Sequence, residues 1–205
     1  MKTAMVWIAV LLVFTGISQA QKPLVLSKSL PTHGTLMMEM NFGEIRIVRC
    51  DEARTIRLSI DSHNQAYDAQ AMQSWVRRFE VTGDRAAIAM KLPQDFRNNK
   101  TSPRVIVYLP AYTDLKLQLG AGQITVKGIE GNKDLHVNVG QLTVNIADGA
   151  EYSEIRTSSK LGETNDEVSH KRSDGFFPST DHVSSQGLYK LYARVDIGEV
   201  KVERD

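Results

Sequence analysis

Two neighbouring stretches decide the fold, LKLQLGAGQITV at 115–126 and LHVNVGQLTV at 135–144. In each of them aliphatic residues alternate with polar ones up to a glycine, and the alternation resumes after a Gln. Strict alternation is typical of a half-buried β-strand. A glycine in the middle of such a pattern is typical of a bulge or corner that needs a positive φ. Each stretch therefore predicts a strand that turns a corner at its glycine.

The same short phrase occurs five times, as an apolar residue or Ala, then Gly, then Glu or Gln. Its copies begin at Phe42, Ala121, Val139, Leu161 and Ile197. The last four glycines (122, 140, 162 and 198) are 18, 22 and 36 residues apart, close to one, one and two units of a single period. Such self-similarity indicates stacked repeats. The sequence predicts a mainly β protein, a β-solenoid or β-helix-like stack of coils of about 18–22 residues.

The first half of the chain carries other patterns besides strands. Apolar residues at i, i+3, i+4 and i+7 predict one short amphipathic helix within 64–80. Its apolar stripe consists of Met72, Trp75, Val76 and Phe79. The stripe is interpreted as core packing, because one apolar face is how a helix attaches to a sheet.

The predicted organisation is a single domain over 34–205, with N-terminal strands plus the helix at 34–104 and repeat coils at 105–205. Residues 21–33, which carry two prolines and no period, are predicted to form an extended leader. The polar run 165–186 is interpreted as an excursion that distorts or enlarges one coil. The end of the chain predicts a final coil whose charged flanks discourage edge-to-edge pairing.

Residues 1–20 predict a cleaved signal peptide. Lys2 precedes an apolar run, and Ser18-Gln19-Ala20 places small residues where a signal peptidase reads. The apolar run is shorter than the roughly 20 residues of a membrane-spanning helix. We expect an exported protein that begins at Gln21, does not span the membrane after cleavage, and lies in the periplasm or at the cell surface.

Charge and cysteine content narrow the class of protein further. The chain has 25 basic and 24 acidic residues, and removing Lys2 with the signal leaves 24 of each. This balance argues against a nucleic-acid partner. Cys50 is the only cysteine, so it forms no internal disulfide. It is expected to be a small buried hydrophobe, with an intermolecular or reactive thiol as the alternative.

These features together resemble a known bacterial family. The segment from Val105 to Pro110, the following Leu115-Lys116-Leu117 and the Gly-Gln repeats are similar to the DUF4097 family of adhesin-like, exported β-strand repeat domains. The resemblance covers about residues 34–205. The chain differs from the family pattern in using Gln at 123 and 141 where an acid is commoner. The resemblance implies a strand-rich exported domain and carries over no catalytic residues.

Catalytic and metal-binding motifs are not evident. The sequence has no Gly-x-Ser-x-Gly elbow, no His-Glu-x-x-His and no Walker loop. The repeat spacing differs from the nine-residue register that binds calcium between coils. The best metal candidate is the excursion, where carboxylates and imidazoles suited to zinc are close in sequence. These residues are Asp166, Glu167, His170, Asp174, Asp181 and His182. Their spacing matches no known site, so no metal and no cofactor are predicted.

Three classes of function remain. The first is a non-enzymatic interaction or structural module whose partner is an envelope protein or a glycan. The second is a carbohydrate-binding module, which would use exposed aromatic residues such as Tyr112, Tyr152, Phe176, Phe177 and Tyr189. The third is a carbohydrate-active enzyme, which would need converging acids. Phe176 and Phe177 are the candidate ligand-binding residues, and the alternative is that they fold back to fill the open side of a distorted coil.

Overall fold

A computed structural model of the chain describes residues 23–31, 33–50, 54–61, 69–93 and 103–204. These residues are mainly β, which confirms the predicted class: twelve strands belong to one sheet, beside one α-helix and one short 3₁₀ helix. The strands are β1 (Leu24–Ser29), β2 (Thr35–Arg49), β3 (Thr55–Asp61), β4 (Val76–Thr82), β5 (Arg85–Met90), β6 (Arg104–Leu109), β7 (Asp114–Lys127), β8 (Lys133–Ile146), β9 (Tyr152–Asp166), β10 (Lys171–Phe176), β11 (Ser179–Val183) and β12 (Tyr189–Arg204). Helix α1 spans Ala69–Trp75, and the 3₁₀ helix spans Gly149–Glu151. The predicted signal peptide lies outside the described residues.

Five long parallel strands carry the five copies of the repeated phrase. They lie side by side in the order β2, β7, β8, β12, β9. Their central glycines pair in register, in the spatial order Gly43, Gly122, Gly140, Gly198, Gly162. We call this set the glycine row. The five copies that the sequence identified are therefore equivalent in space. They include the copy at Leu161, which lacks the aliphatic alternation after its glycine.

Glycine is required at these positions by the close approach of neighbouring backbones as well as by the positive φ. Gly122 has φ +131° and Gly140 has φ +139°, which confirms the predicted positive φ. A Cβ on Gly140 would lie 1.8 Å from the carbonyl oxygen of Gly122. The same distance separates a Cβ on Gly198 from the carbonyl oxygen of Gly140. No side chain fits at these positions unless the strands move apart.

The spatial order of the strands differs from their order in the chain. The last strand, β12, inserts between β8 and β9 and pairs with both in parallel. The prediction of a terminal coil at the end of the chain is therefore wrong. The last of the five parallel strands in the sheet is β9, and its outer edge is paired with the antiparallel strands β10 and β11. This insertion explains the 36-residue gap between Gly162 and Gly198, because the excursion lies between two strands that pair directly.

The N-terminal strands continue the same sheet on the other side of β2. Strand β5 pairs with the first half of β2 and β6 with its second half, both in parallel. Strand β3 pairs antiparallel with β6, and β1 pairs antiparallel with β3. The segment predicted as an extended leader thus contributes β1 to the sheet.

The predicted helix is shorter than its apolar stripe suggested. Met72 and Trp75 are buried on α1, but Val76 and Phe79 belong to β4, which pairs with β5. The prediction of a helical Val76 and Phe79 is therefore wrong. Pairing with an existing strand edge overrides the helical spacing, since β-branched and aromatic residues also suit a strand.

One continuous apolar core runs through the described residues, from Leu30 to Val202. Inward positions of the repeat strands are mostly Leu, Ile, Val and Met, while outward positions such as Lys116 and Gln118 are exposed. The core becomes polar at β9, the last of the five parallel strands, where Thr157, Ser159 and Thr164 are buried. Cys50 is half-buried at the end of β2.

Candidate functional site

The excursion folds back along β9 as an antiparallel return rather than as a distorted coil. Strand β10 follows the second half of β9, with Phe176 opposite Leu161. Strand β11 follows the first half, with Ser179 opposite Ser158. Between them the backbone turns at Phe177, which has φ +55° and donates its N–H to the carbonyl of Lys160 at 3.0 Å. The return strand therefore bends at the same level as the glycine row.

Phe176 and Phe177 are exposed at this bend. Phe176 is 81% exposed and Phe177 is 75% exposed. The neighbouring Pro178 and Thr180 are buried instead, and the Thr180 hydroxyl hydrogen-bonds that of Thr157 at 2.6 Å. The interpretation that the two phenylalanines fill an open coil is therefore wrong, because Pro178 and Thr180 anchor the return strand and leave both rings in solvent.

The phenylalanines end a line of apolar side chains that precede the glycine row. In-register pairing places these residues next to one another on five adjacent strands. We call them the corner ridge, which consists of Ala121, Val139, Ile197, Leu161 and Phe176 in spatial order. Val139, Ile197 and Leu161 are 49%, 50% and 42% exposed. At the other end, Phe42 pairs with Ala121 but packs partly against the core.

A row of amides and carboxylates follows the glycines on one side of the corner ridge. Gln123 donates to Gln141 at 3.4 Å, and Gln141 donates to Glu199 at 3.3 Å. The carboxylates are paired with cations: Glu199 with Lys201 at 2.9 Å, and Glu163 on the next strand with Arg172 at 2.8 Å. Gln123, Gln141 and Glu199 thus link three neighbouring copies of the phrase in register.

On strand β2 the equivalent residue is Glu44, which forms ion pairs of its own. Glu44 accepts hydrogen bonds from Arg104, at 2.9 Å, and from Arg46. Burial alone would raise the pKa of the Glu44 carboxyl, but these two guanidinium groups outweigh burial and hold the pKa below its usual value. This flank of the corner ridge is therefore internally neutralised.

On the other side of the ridge, Asp196 is held by two partners. It pairs with Lys160 at 3.0 Å and with His136 Nε2 at 3.1 Å. The hydrogen bond from Lys160, together with that from His136, holds the pKa of the Asp196 carboxyl below its usual range. Both flanks of the ridge thus consist of amides and paired charges.

The other aromatic candidates are placed differently. Tyr152 is fully buried, which contradicts its prediction as an exposed aromatic residue, and Tyr189 is half-buried. Tyr112 is exposed and stacks on His33, with ring centroids 5.5 Å apart. Only Phe176 and Phe177 lie together at one exposed position.

Tyr152 belongs to a buried polar cluster that the sequence did not reveal. Lys133 is 1% exposed and donates to the Gly131 carbonyl at 3.1 Å and to the Tyr152 hydroxyl. The Tyr152 hydroxyl in turn donates to Glu130 at 2.9 Å. Burial lowers the pKa of the Lys133 ammonium to about 8 and raises the pKa of the Tyr152 phenol. The alternation that begins at Leu135 puts Lys133 on the inward side, but a single lysine at the start of a strand does not by itself predict a buried polar cluster.

The metal-ligand candidates of the excursion do not converge. Asp166 is buried and accepts from the backbone N–H of Val168 at 2.9 Å and the hydroxyl of Ser169 at 2.6 Å. Asp181 pairs with Arg156 at 3.3 Å. Over the described residues, no three side chains of the His, Cys, Asp or Glu type are grouped as a metal would require.

Two grooves lie beside the flanks of the ridge, one reaching His136 and the other reaching Gln123. One, of about 250 Å³, is lined by Met37, Ala87 and Lys116 among others. The second, of about 350 Å³, is lined by Arg46, Thr125 and Thr143 among others. Thr125, Thr143 and Lys201 are neighbours in register, and Glu203 is the single carboxylate among the described residues that line this second groove.

Among solved structures, the chain is similar to a candidate cell adhesion protein from Clostridium sporogenes. The TM-score is 0.54 at 12% identity, and the match covers 90% of this chain and 100% of that chain. A likeness at this identity shows a shared fold. No family model matches the chain, and no curated protein matches its sequence.

The chain is more weakly similar to the solved structures of two candidate adhesins. The one from Parabacteroides distasonis has a TM-score of 0.29 at 16% identity and covers 62% of this chain and 58% of that chain. The one from Bacteroides fragilis has a TM-score of 0.30 at 8% identity and covers 89% of this chain and 98% of that chain. In the described part of the chain, no helix has the length and apolar character needed to cross a membrane.

Proposed function

We propose that this protein is an exported, non-enzymatic binding module of the adhesin-like type, and that it contacts its partner through Phe176 and Phe177. The observation that carries the proposal is the exposure of this adjacent pair, 81% and 75%, on a return strand whose Pro178 and Thr180 are buried. Large aromatic side chains are usually buried, and exposed ones are common at binding hot spots. The similarity to a candidate cell adhesion protein agrees with this function.

The scaffold that presents the pair is proposed to be a β-solenoid of the DUF4097 type. Strand β7 has 14 residues and would extend about 46 Å if straight, yet only residues 128–132 connect it to the start of its parallel neighbour β8. Five residues span at most about 22 Å between the ends of the two strands. A bend of β7 at Gly122 would bring its end back toward the start of β8, and this short connection supports the proposed coil. A rigid stack of this kind holds surface side chains at fixed positions.

A binding role is preferred to catalysis because of the chemistry at the candidate surface. The carboxylates next to the corner ridge are tied to Arg104, Arg172, Lys160 or Lys201. General acid and base catalysis by carboxylates needs one of them to hold a proton at neutral pH, which requires a raised pKa. The pKa values of Glu44 and Asp196 are lowered instead.

A carbohydrate-binding module is the second candidate. It is favoured by the amide row, because Gln123 and Gln141 lie beside an exposed apolar line and amides hydrogen-bond sugar hydroxyls. It is disfavoured by the residue type at the ridge, since phenylalanine lacks the polar group with which Tyr or Trp would bind a sugar hydroxyl.

The proposal is tested with the purified mature chain, a Phe176→Ala, Phe177→Ala double variant and a matched control. The control is Leu188→Ala, because Leu188 is 82% exposed and lies outside the return strand. Each protein is assayed for binding to an envelope fraction of the source organism and to a glycan array. We expect the double variant alone to lose envelope binding, with an unchanged melting temperature. Absence of binding by the wild type, or equal loss in the Leu188 control, would contradict the proposal, and retained binding only to glycans would favour the second candidate.

A further inference from the structure

We propose that the partner of the corner ridge is the corner ridge of a second copy of this chain, so that recognition is homophilic. This inference rests on the proposed function, because the ridge ends at the phenylalanines that are proposed to bind. The two copies would pack with their ridges antiparallel around a two-fold axis. Closed two-fold dimers of this kind are the commonest assembly of soluble proteins.

The size of the side chains changes along the ridge. In spatial order the residues enlarge from Ala121 through Val139, Ile197 and Leu161 to Phe176. In an antiparallel arrangement, Ala121 would face the Phe176 of the second copy. Val139 would face Leu161, and Ile197 would face itself on the axis. Phe176 then opposes Ala121 and Leu161 opposes the smaller Val139, while Ile197 packs against its own copy, which is the self-complementarity that a two-fold interface requires.

The exposed surface has a length and an apolar area that suit a dimer interface. Adjacent strands are about 4.8 Å apart, so the four steps from Ala121 to Phe176 extend about 19 Å. Val139, Ile197, Leu161, Phe176 and Phe177 expose on the order of 500 Å² of apolar surface, given their exposed fractions. A standard interface buries about 800 Å² per partner, of which about 65% is apolar in homodimers. The ridge and Phe177 together therefore supply about the apolar area of one side of such an interface.

The charge of the chain does not oppose the association of two copies. The chain has a formal net charge of +1, so two copies do not repel each other over long distances. The charges that flank the ridge are paired within one chain, as Asp196 is with Lys160 and Glu199 is with Lys201.

The test is sedimentation velocity on the mature chain over about 1 to 200 µM, the range in which an interface of this size associates. Ile197→Lys places two like charges on the axis, and Leu188→Lys is the control at an exposed position outside the ridge. We expect a concentration-dependent dimer for the wild type and for Leu188→Lys. The dimer dissociation constant of Ile197→Lys should rise more than about tenfold. An equimolar mixture of Ile197→Lys and Ile197→Glu should form a heterodimer again.

A second pair of variants guards against misfolding and tests the antiparallel direction. A mixture of Val139→Lys and Leu161→Glu should associate more tightly than either variant alone, because these positions face each other only in the antiparallel arrangement. Melting temperatures confirm that each variant is folded. A wild type that stays monomeric at all concentrations, or an equal effect of the Leu188 control, would overturn the inference.

The outcomes separate this inference from the proposed function. Envelope binding is repeated with a fraction from cells in which the gene is deleted. Unchanged, phenylalanine-dependent binding to that fraction would overturn the homophilic partner and leave the proposed function intact. A wild type that dimerises through Ile197 but binds neither fraction would overturn the proposed function and support the second copy as the occupant of the ridge.

Discussion

At the scale of single residues, the glycine row requires glycine for close backbone contact as well as for its positive φ. Gly140→Ala should lower the free energy of unfolding by at least about 2 kcal/mol, because the new Cβ would lie 1.8 Å from the Gly122 carbonyl oxygen at φ +139°. The effect combines an unfavourable φ with the separation of two paired strands. Urea denaturation of the purified protein measures it.

A matched glycine isolates the close approach. Gly83 lies in the turn between β4 and β5 at φ +60°, with open space where its Cβ would be. Gly83→Ala should therefore cost only the conformational term, about 1 kcal/mol. Equal losses at Gly83 and Gly140 would show that the stacked carbonyl is unimportant and that φ alone selects glycine.

Lys133 gives the molecule a pH dependence above neutrality. Burial lowers the pKa of its ammonium from 10.5 to about 8, although the Glu130 and Asp114 carboxylates act in the opposite direction. Between these two values the unfolded chain binds more protons than the folded chain, so the stability rises with pH through this window. Below about pH 8 the full penalty applies, on the order of 3 kcal/mol.

The measurement compares the wild type with Lys133→Met from about pH 7 to pH 9.5. The unfolding free energy of the wild type, relative to that of the variant, should increase by about 1 kcal/mol per pH unit above pH 8. The range ends below pH 10 because the pKa of the Tyr152 phenol is raised, and its titration opposes that of Lys133 at higher pH. A difference that does not change with pH would mean that Lys133 is not charged in the unfolded and neutral in the folded state over this range.

At the scale of elements, position in the sheet rather than position in the chain should decide protection from exchange. Strand β12 is paired on both sides, with β8 and β9, whereas β10 is paired only with β9. Amides of β12 should therefore exchange as slowly as those of β8, and amides of β10 should exchange much faster. Hydrogen-exchange mass spectrometry resolves the three strands. Exchange of β12 as fast as that of β10 would contradict the insertion of β12 into the stack.

The same elements show how far the sequence leads. The phrase around Gly122, Gly140 and Gly198 predicts five equivalent corners, because a local demand for glycine recurs wherever backbones meet. The insertion of β12 is not predictable from the period, since stacking order depends on pairing between strands that are distant in the chain. The end of α1 before Val76 depends on pairing of β4 with β5, which also lies outside any local window.

The candidate site was only partly predictable for a related reason. Phe176 and Phe177 stand out in the sequence as two large apolar residues in a polar run. The rest of the corner ridge does not stand out, because Val139, Ile197 and Leu161 read as ordinary strand residues before a glycine. Their exposure arises at the glycine, where the alternation shifts by one residue, so that Val137 and Leu142 are buried while Val139 between them is exposed.

At the scale of the whole molecule, the N-terminal strands and the repeat strands should unfold together. Strand β2 joins the two parts, because it pairs with β5 and β6 on one side and with β7 along its whole length on the other. The apolar core is likewise continuous across this junction. We therefore expect one calorimetric transition with equal calorimetric and van't Hoff enthalpies, as for a single cooperative domain.

Two core variants test this cooperativity from opposite ends. Leu58→Ala removes buried side-chain atoms from β3, and Val200→Ala removes them from β12, near the far end of the stack. Each should cost about 1 to 4 kcal/mol and lower the same single melting temperature. The cooperative unit would be smaller than the sheet if Leu58→Ala shifted only part of the transition.

A fragment of residues 105–205 should fail to fold, because removing β2 leaves one edge of β7 unpaired and exposes the part of the core that β2 covers. A cooperative melt of that fragment would contradict a single folding unit.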